Sequence, residues 1–260
     1  MNNKPIGIFD SGVGGFTVYK QIRKELPNEN VIYLGDTKNF PYGNKSKEDI
    51  IKFAIENTKI LINKGVKLII IACGTVTSQA IDVLQEKFDI PIIGIIEPTI
   101  QYIKEQNIKE IGVMATEGTI RSNAWENNLK KCIEDIKVIN KACPILATIA
   151  EQGKAESIEG RKAIKEYMGI FKKNRINKII LGCTHYPIYE KIIREELVYE
   201  VELIDTGTTV SRYVKKFLIE KTMMNSEDNC KETIYLTKPE KEFKNIAKDV
   251  MGIDIKINNL

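Results

Sequence analysis

The stretch LIIIACGT, Leu68–Thr75, decides how this chain is read. Four large aliphatic side chains run into a thiol, and small polar residues follow at once. Such a short apolar run, closed by a glycine and a threonine, predicts a buried strand of a parallel sheet with a turn at its carboxyl end. The pattern returns at Lys178–His185, KIILGCTH, again with a cysteine where the strand should end. A second echo joins IGIFDSGVGG, from Ile6, to IGVMATEGTI, from Ile111; the first residues of this pair stand 105 positions apart, and Cys73 and Cys183 stand 110 apart. Two similar offsets predict two related halves, each with one cysteine at a strand's carboxyl end.

Around these segments, β-branched runs alternate with helical periodicity. Strands are expected at Ile6–Phe9, Val31–Leu34, Leu68–Ala72, Ile92–Ile96, Ile111–Met114, Ile136–Ile139, Ile179–Leu181 and Val201–Ile204. Ser46-Lys47-Glu48-Asp49 resembles a capping box, and Ile51, Ala54, Ile55, Thr58, Leu61 and Ile62 then recur at helical spacing until Gly65. This alternation predicts an α/β fold: two similar open-sheet α/β domains, mainly parallel, facing each other across a cleft. Ligands of open parallel sheets bind at the carboxyl ends of strands. Both thiols would then line one site.

Composition narrows the function. The chain has 260 residues, 43% of them hydrophobic, enough for sizeable cores. Its net charge of +4 comes from 39 basic and 35 acidic residues that are interspersed, with no basic stripe or nucleic-acid-reading motif, so no nucleic-acid partner is expected. The five cysteines have no C-x-x-C spacing, which argues against a zinc site or a disulfide framework; no metal is expected. The longest apolar run, Leu68 to Cys73, is far too short for a bilayer, and the start MNNKPIGIFD lacks the pattern of a secretion signal. The expected location is the cytoplasm, without membrane contact.

Several residues could carry chemistry. His185 is the chain's single histidine, two positions beyond Cys183, where an extended segment would point both to the same side. It could take a proton from the thiol or hold it as thiolate. Asp10, at the end of the first strand, could serve Cys73 as a base or simply cap the following turn; both roles are compatible. Gly12, Gly14 and Gly15 do not complete a dinucleotide fingerprint, since Thr17 stands where a glycine is required, and they suit either a nest of N–H groups or a plain tight turn. Thr116 and Thr119 stand in the second half where Ser11 stands in the first, offering hydroxyls or a helix cap. Cys132, Cys143, Cys230, Trp125 and the Met223-Met224 pair are expected to be packing or incidental residues.

Four motifs in order, IFDSGVGG (from Ile8), GDTKNFPYG (from Gly35), ATEGTIRS (from Ala115) and LGCTHYP (from Leu181), resemble the glutamate racemases of the aspartate/glutamate racemase superfamily. The resemblance implies a cofactor-independent enzyme that interconverts L- and D-glutamate and supplies D-glutamate for peptidoglycan. It implies that Cys73 and Cys183 are the two acid/base residues on opposite faces of the substrate Cα, assisted by Asp10 and His185, with Glu151 as a further acidic catalytic residue. Substrate contacts carried over are Asp10, Ser11, Tyr42, Gly43, Gly74, Thr75, Thr184 and His185, with Thr116 and Thr119 as further hydroxyl donors. It also implies domains of residues 1–98 plus 206–260 and of residues 99–205, and a possible homodimer.

One position departs from the family. Its usual text is Ala-Cys-Asn-Thr, and this chain reads Ala72-Cys73-Gly74-Thr75. Gly74 can offer only backbone, so a water or a nearby hydroxyl such as Thr77 is expected to replace the amide. The departure keeps other functions open: an aspartate or other amino-acid racemase of the same superfamily, a thiol hydrolase using Cys183 and His185, or a non-catalytic amino-acid-binding or regulatory protein.

Overall fold

Every described strand pairing is parallel, in two separate sheets. The computed structural model describes residues 2–227, 230–238, 241–252 and 256–259. Among the described residues the strands are β1 (Ile6–Asp10), β2 (Val31–Gly35), β3 (Leu68–Ile71), β4 (Ile92–Gly94), β5 (Glu110–Ala115), β6 (Lys137–Ala142), β7 (Lys178–Leu181), β8 (Glu202–Asp205), β9 (Glu232–Leu236) and β10 (Ile257–Asn259). The helices are α1 (Phe16–Glu25), α2 (Lys47–Asn63), α3 (Gly74–Lys87), α4 (Ile96–Glu105), α5 (Glu117–Arg121), α6 (Ala124–Cys132), α7 (Leu146–Glu151), α8 (Ile158–Lys173), α9 (Glu190–Leu197), α10 (Thr206–Glu220) and α11 (Lys241–Met251).

The first sheet has the order β10-β9-β2-β1-β3-β4, the second β6-β5-β7-β8. The run β2-β1-β3-β4 in the first sheet and β6-β5-β7-β8 in the second therefore share one topology. The sequence echo maps onto it, since β1 matches β5 and β3 matches β7. Strands buried on both faces explain the unbroken aliphatic runs. In β3, Leu68 and Ile70 join one core cluster while Ile69 and Ile71 join another, and in β7 Ile180 and the pair Ile179 and Leu181 divide the same way. The cluster holding Ile70 and Ile180 is continuous between the sheets through Ile100 and Ile103 of α4 and Val210 and Val214 of α10.

Local signals act where physics requires them. Ser46 caps α2, its hydroxyl accepting from Asp49 N at 3.1 Å, and Gly65 terminates that helix at φ +77°, a conformation glycine adopts without steric cost. The aliphatic run at Ile92–Ile96 is strand only to Gly94. Ile95 already has helical φ/ψ and α4 begins at Ile96, so burial of this run is shared between a strand and a helix. β6 extends to Ala142, past the expected Ile139. β9 and β10, at the edge of the first sheet, were not among the expected strands. No helix among the described residues is long and apolar enough to cross a membrane.

Candidate active site

The carboxyl ends of β1, β3, β5 and β7 converge. β1 ends in Asp10, which is fully buried; its Oδ2 accepts from Gly12 N and Gly15 N, each at 3.1 Å, so it caps the glycine-rich turn into α1. Its other oxygen accepts from the Thr184 hydroxyl at 3.3 Å, across from the loop after β7. Burial pushes the Asp10 carboxyl up to about 6, against lowering by the His185 charge and the two turn amides. Asp10 makes no hydrogen bond to Cys73, but its charge is close enough to raise that thiol.

Cys73 is the N-cap of α3 and points its thiol at the Ser11 hydroxyl, 3.5 Å away. Burial, with Asp10's charge behind it, pushes the Cys73 thiol up to about 12; Ser11 and the Val76 N–H act in the opposite direction. On the other side, Cys183 Sγ lies 3.6 Å from His185 Nδ1. The expected proximity is present, but its cause differs: β7 stops at Leu181, and Cys183 to His185 form a turn into a short 3-10 helix, Tyr186–Tyr189, with His185 in helical φ/ψ. His185 Nε2 lies 2.7 Å from Glu151 Oε1, which also accepts from Val13 N at 2.8 Å. Burial alone would lower the imidazole, yet its contacts with Cys183 and Glu151 raise it well above the ordinary 6.5. Glu151, from α7, therefore joins the turn after β1 to the ring beside Cys183.

Three hydroxyls form a triangle at the same level. Thr75 Oγ1 lies 2.9 Å from Thr116 Oγ1, which lies 2.9 Å from Thr119 Oγ1; Thr119 reaches Thr75 at 3.4 Å. Thr116 also caps α5, accepting from Thr119 N at 3.3 Å. Of the uses expected of these threonines, the helix cap is present at Thr116, and the hydroxyls meet one another. A small cavity of about 20 Å³ is lined by Ser11, Tyr42, Cys73, Thr75, Cys183 and His185 among others. Gly43, Gly74, Thr116 and Thr184 also line it, whereas Asp10, Thr119 and Glu151 stand behind its wall. Phe40 also lines the cavity, its ring centroid 5.7 Å from that of His185.

The residues between Ile6 and Tyr213 match the Asp/Glu/hydantoin racemase family profile, residues 6–213. A glutamate racemase of Lactococcus lactis subsp. lactis is 36% identical over 256 residues, covering 97% of this chain and 94% of the relative. The chain belongs to the Asp/Glu/hydantoin racemase family. Two solved glutamate racemases share its whole architecture. An isoform from Bacillus anthracis has a TM-score of 0.95 at 32% identity, and one from Francisella tularensis, in complex with D-glutamate, 0.93 at 35%; each comparison covers 100% of this chain and 98% of the other.

Within this racemase the sequence reading overlooked Asp36. It follows β2 and is buried at 1% exposure, accepting from Tyr42 Oη at 2.5 Å, Asn39 Nδ2 at 2.9 Å and Thr237 Oγ1 at 2.9 Å. Tyr42's hydroxyl proton is therefore engaged by Asp36, although Tyr42 and Gly43 both line the cavity. A burial signal was absent, because a carboxylate in a turn-rich loop reads as solvated. Thr77 does not fill the gap left at Gly74: its hydroxyl donates to Ile71 O at 3.2 Å and accepts from Ile95 N at 3.4 Å. Cys143 lies in a core cluster, while Cys132 and Cys230 are exposed. Among the described residues no group of three or more metal-ligating side chains is placed to hold a metal ion.

Proposed function

We propose that this racemase interconverts L- and D-glutamate by a two-thiol mechanism without a cofactor, Cys73 and Cys183 acting on opposite faces of the substrate Cα. One observation carries the reading: two cysteines, each at the end of a strand of a different sheet, line a single cavity. The glutamate racemase relatives along nearly the whole chain support glutamate as the substrate.

The α-proton of an amino acid is weakly acidic, so its removal needs a base on one face, an acid on the other and stabilisation of the carbanion between them. Cys73, held as a thiol at neutral pH by burial, enters as the proton donor. Cys183, held as thiolate by the His185 cation beside its sulfur, removes the α-proton and becomes a thiol, its negative charge passing to Cα, where the proton from Cys73 neutralises it. In reverse, Cys73 must carry negative charge, and Ser11, the Val76 N–H and the N-terminus of α3 are placed to stabilise it. A substrate carboxylate that accepts from Thr75 and Thr116, with Thr119 behind them, exchanges neutral hydroxyl contacts for charge-assisted ones. Asp10 orients Thr184, and Glu151 orients His185; both are positioning residues. Cys73, Thr75, Cys183, Thr184 and His185 are all buried, which keeps bulk water from these groups and strengthens each of these interactions.

We assign residues 1–98 plus 206–260 to the domain carrying Cys73 and residues 99–205 to the domain carrying Cys183. D-Glutamate made in the cytoplasm would serve peptidoglycan synthesis.

The deciding experiment follows solvent deuterium at Cα of L- and D-glutamate, with both aspartates alongside, for wild type, Cys73→Ser and Cys183→Ser, with no cofactor added. Wild type should exchange and invert glutamate, and each substitution should abolish inversion. Inversion of aspartate alone would overturn the substrate, and inversion surviving either substitution would overturn the mechanism.

A further inference from the structure

Gly74 follows Cys73 directly, and Gly182 directly precedes Cys183. The two meet beside the cavity main chain to main chain: a Cβ on Gly74 would lie 2.2 Å from Gly182 O and 3.3 Å from its carbonyl carbon. Neither side has room to retreat. Gly182 is held from behind by its N–H to Met114 O at 2.8 Å, and a Cβ there would already sit 3.0 Å from Met114 O and from Trp125 Nε1. Behind Gly74, the first turn of α3 is tied by Thr77 N to Cys73 O at 2.9 Å, and Ile95 Cδ1 is 3.6 Å from the Cβ position. The space into which a side chain at 74 would project is occupied by a carbonyl oxygen of the opposite half.

We propose that Gly74 is a positioning residue that sets the separation of the two cysteine-bearing strand ends. Its missing side chain lets the halves close to the distance at which both sulfurs reach one Cα. The inference rests on the two-thiol reading and deepens it. Cβ atoms in proteins essentially never approach another atom below 3.0 Å, so any other residue at 74 must move one half away from the other. For alanine the shift is roughly 1 Å, and a misplacement of that size at a reacting centre costs on the order of 100-fold in rate. The family's asparagine demands more than alanine does. In this chain, therefore, glycine at 74 is part of a tighter fit between the halves rather than the simple loss of an amide.

Inversion and exchange separate the idea from mere damage. Inversion needs both sulfurs: one takes the proton from Cα and leaves the carbanion's electron pair, and the other delivers a deuteron to the opposite face. Exchange with retention needs only one, which takes the proton, trades it with solvent for a deuteron and returns that deuteron to the same face. In D2O, Gly74→Ala should lose inversion by about 100-fold while retentive exchange falls far less, so that the ratio of retentive exchange to inversion rises at least about tenfold. Gly74→Asn should behave likewise, and Gly169→Ala, on the open surface of α8, should keep the wild-type rate and ratio. If circular dichroism shows Gly74→Ala unfolded, Gly118→Ala carries the test, since its Cβ would lie 2.9 Å from Gly43 O across the same contact between halves; the ratio should rise there too. An unchanged ratio in a folded variant, or a fully active Gly74→Asn, overturns the proposal. Wild type that neither exchanges nor inverts glutamate overturns the two-thiol reading instead.

Discussion

Glu151→Gln isolates the charge that the structure places behind His185. Glutamine keeps an oxygen to accept from Val13 N–H, which now lies 2.8 Å from Glu151 Oε1, but it removes the carboxylate charge 2.7 Å from His185 Nε2. Both side chains are almost fully buried, at 2% and 7% exposure, so little solvent screens the pair. A hydrogen bond to a charged partner contributes about 1.5–3 kcal/mol. At about 1.4 kcal/mol per pKa unit, the imidazole of the variant should titrate about 1–2 units below that of wild type. His185 is the chain's only histidine, so the ring C–H resonances in an NMR pH titration belong to it without assignment work. Stability follows the same proton. The folded-state value lies above the unfolded 6.5, so the stabilisation is complete below pH 6.5 and is lost as pH rises through the folded value. Urea midpoints of wild type and Glu151→Gln should therefore be furthest apart in mild acid and converge in alkali. A wild-type ring titrating at or below 6.5, or one indifferent to Glu151→Gln, would refute the reasoning.

Other perturbations test separate parts of the molecule. Asp10 is raised to about 6 by burial, so if its carboxylate orients Thr184, kcat/KM should climb through a limb near pH 6 that disappears in Asp10→Asn. The same shift makes ionisation of Asp10 destabilising, and wild-type stability should lose this contribution as pH rises from the unfolded 3.8 to about 6, a slope that Asp10→Asn removes. Tyr42→Phe leaves the buried Asp36 carboxylate one donor short and should cost about 1.5–3 kcal/mol in urea unfolding, with a raised KM from the loosened loop. Lys67→Met strands Glu29, whose partner ammonium is 2.6 Å away and fully buried at the amino end of β3; guanidinium unfolding should show a loss of about 3–5 kcal/mol while kcat is retained.

The aliphatic runs that end in Cys73 and Cys183 were legible because a strand buried on both faces needs apolar residues at every position. Their likeness also exposed the paired topology, β2-β1-β3-β4 against β6-β5-β7-β8. Strand β9, next to the edge strand β10, was illegible for the opposite reason: Glu232, Thr233 and Tyr235 are exposed or half-exposed, and the short alternation is no clearer than a loop. The Ile92–Ile96 run misled because isoleucine serves equally well in the last turn of a strand's burial and the first turn of a helix. At the site, types and spacing pointed to the thiols and the histidine, but not to how they are held. Asp36 draws donors from residues as distant as Thr237, and Glu151 bonds Val13, 138 positions away; such contacts exist only once the chain is folded.

The two halves share a topology, yet they surround their thiols differently. Cys73 faces a hydroxyl and lies near a buried carboxylate, both uncharged or negative; Cys183 faces an imidazolium tied to Glu151. L- and D-glutamate are mirror images, so their equilibrium constant is unity and the ratio of kcat/KM in the two directions is fixed, whatever the protein does. The unequal surroundings must therefore be expressed in kcat and KM separately. In the two-thiol mechanism proposed above, the direction in which Cys183 is the base starts from the protonation states that burial of Cys73 already favours. The opposite direction must first place negative charge on Cys73, against desolvation and against Asp10. A higher kcat matched by a proportionally higher KM for one enantiomer follows from this arrangement, and substitution of Asp10 by asparagine, which removes the charge opposing Cys73, should narrow the difference while leaving the kcat/KM ratio at unity.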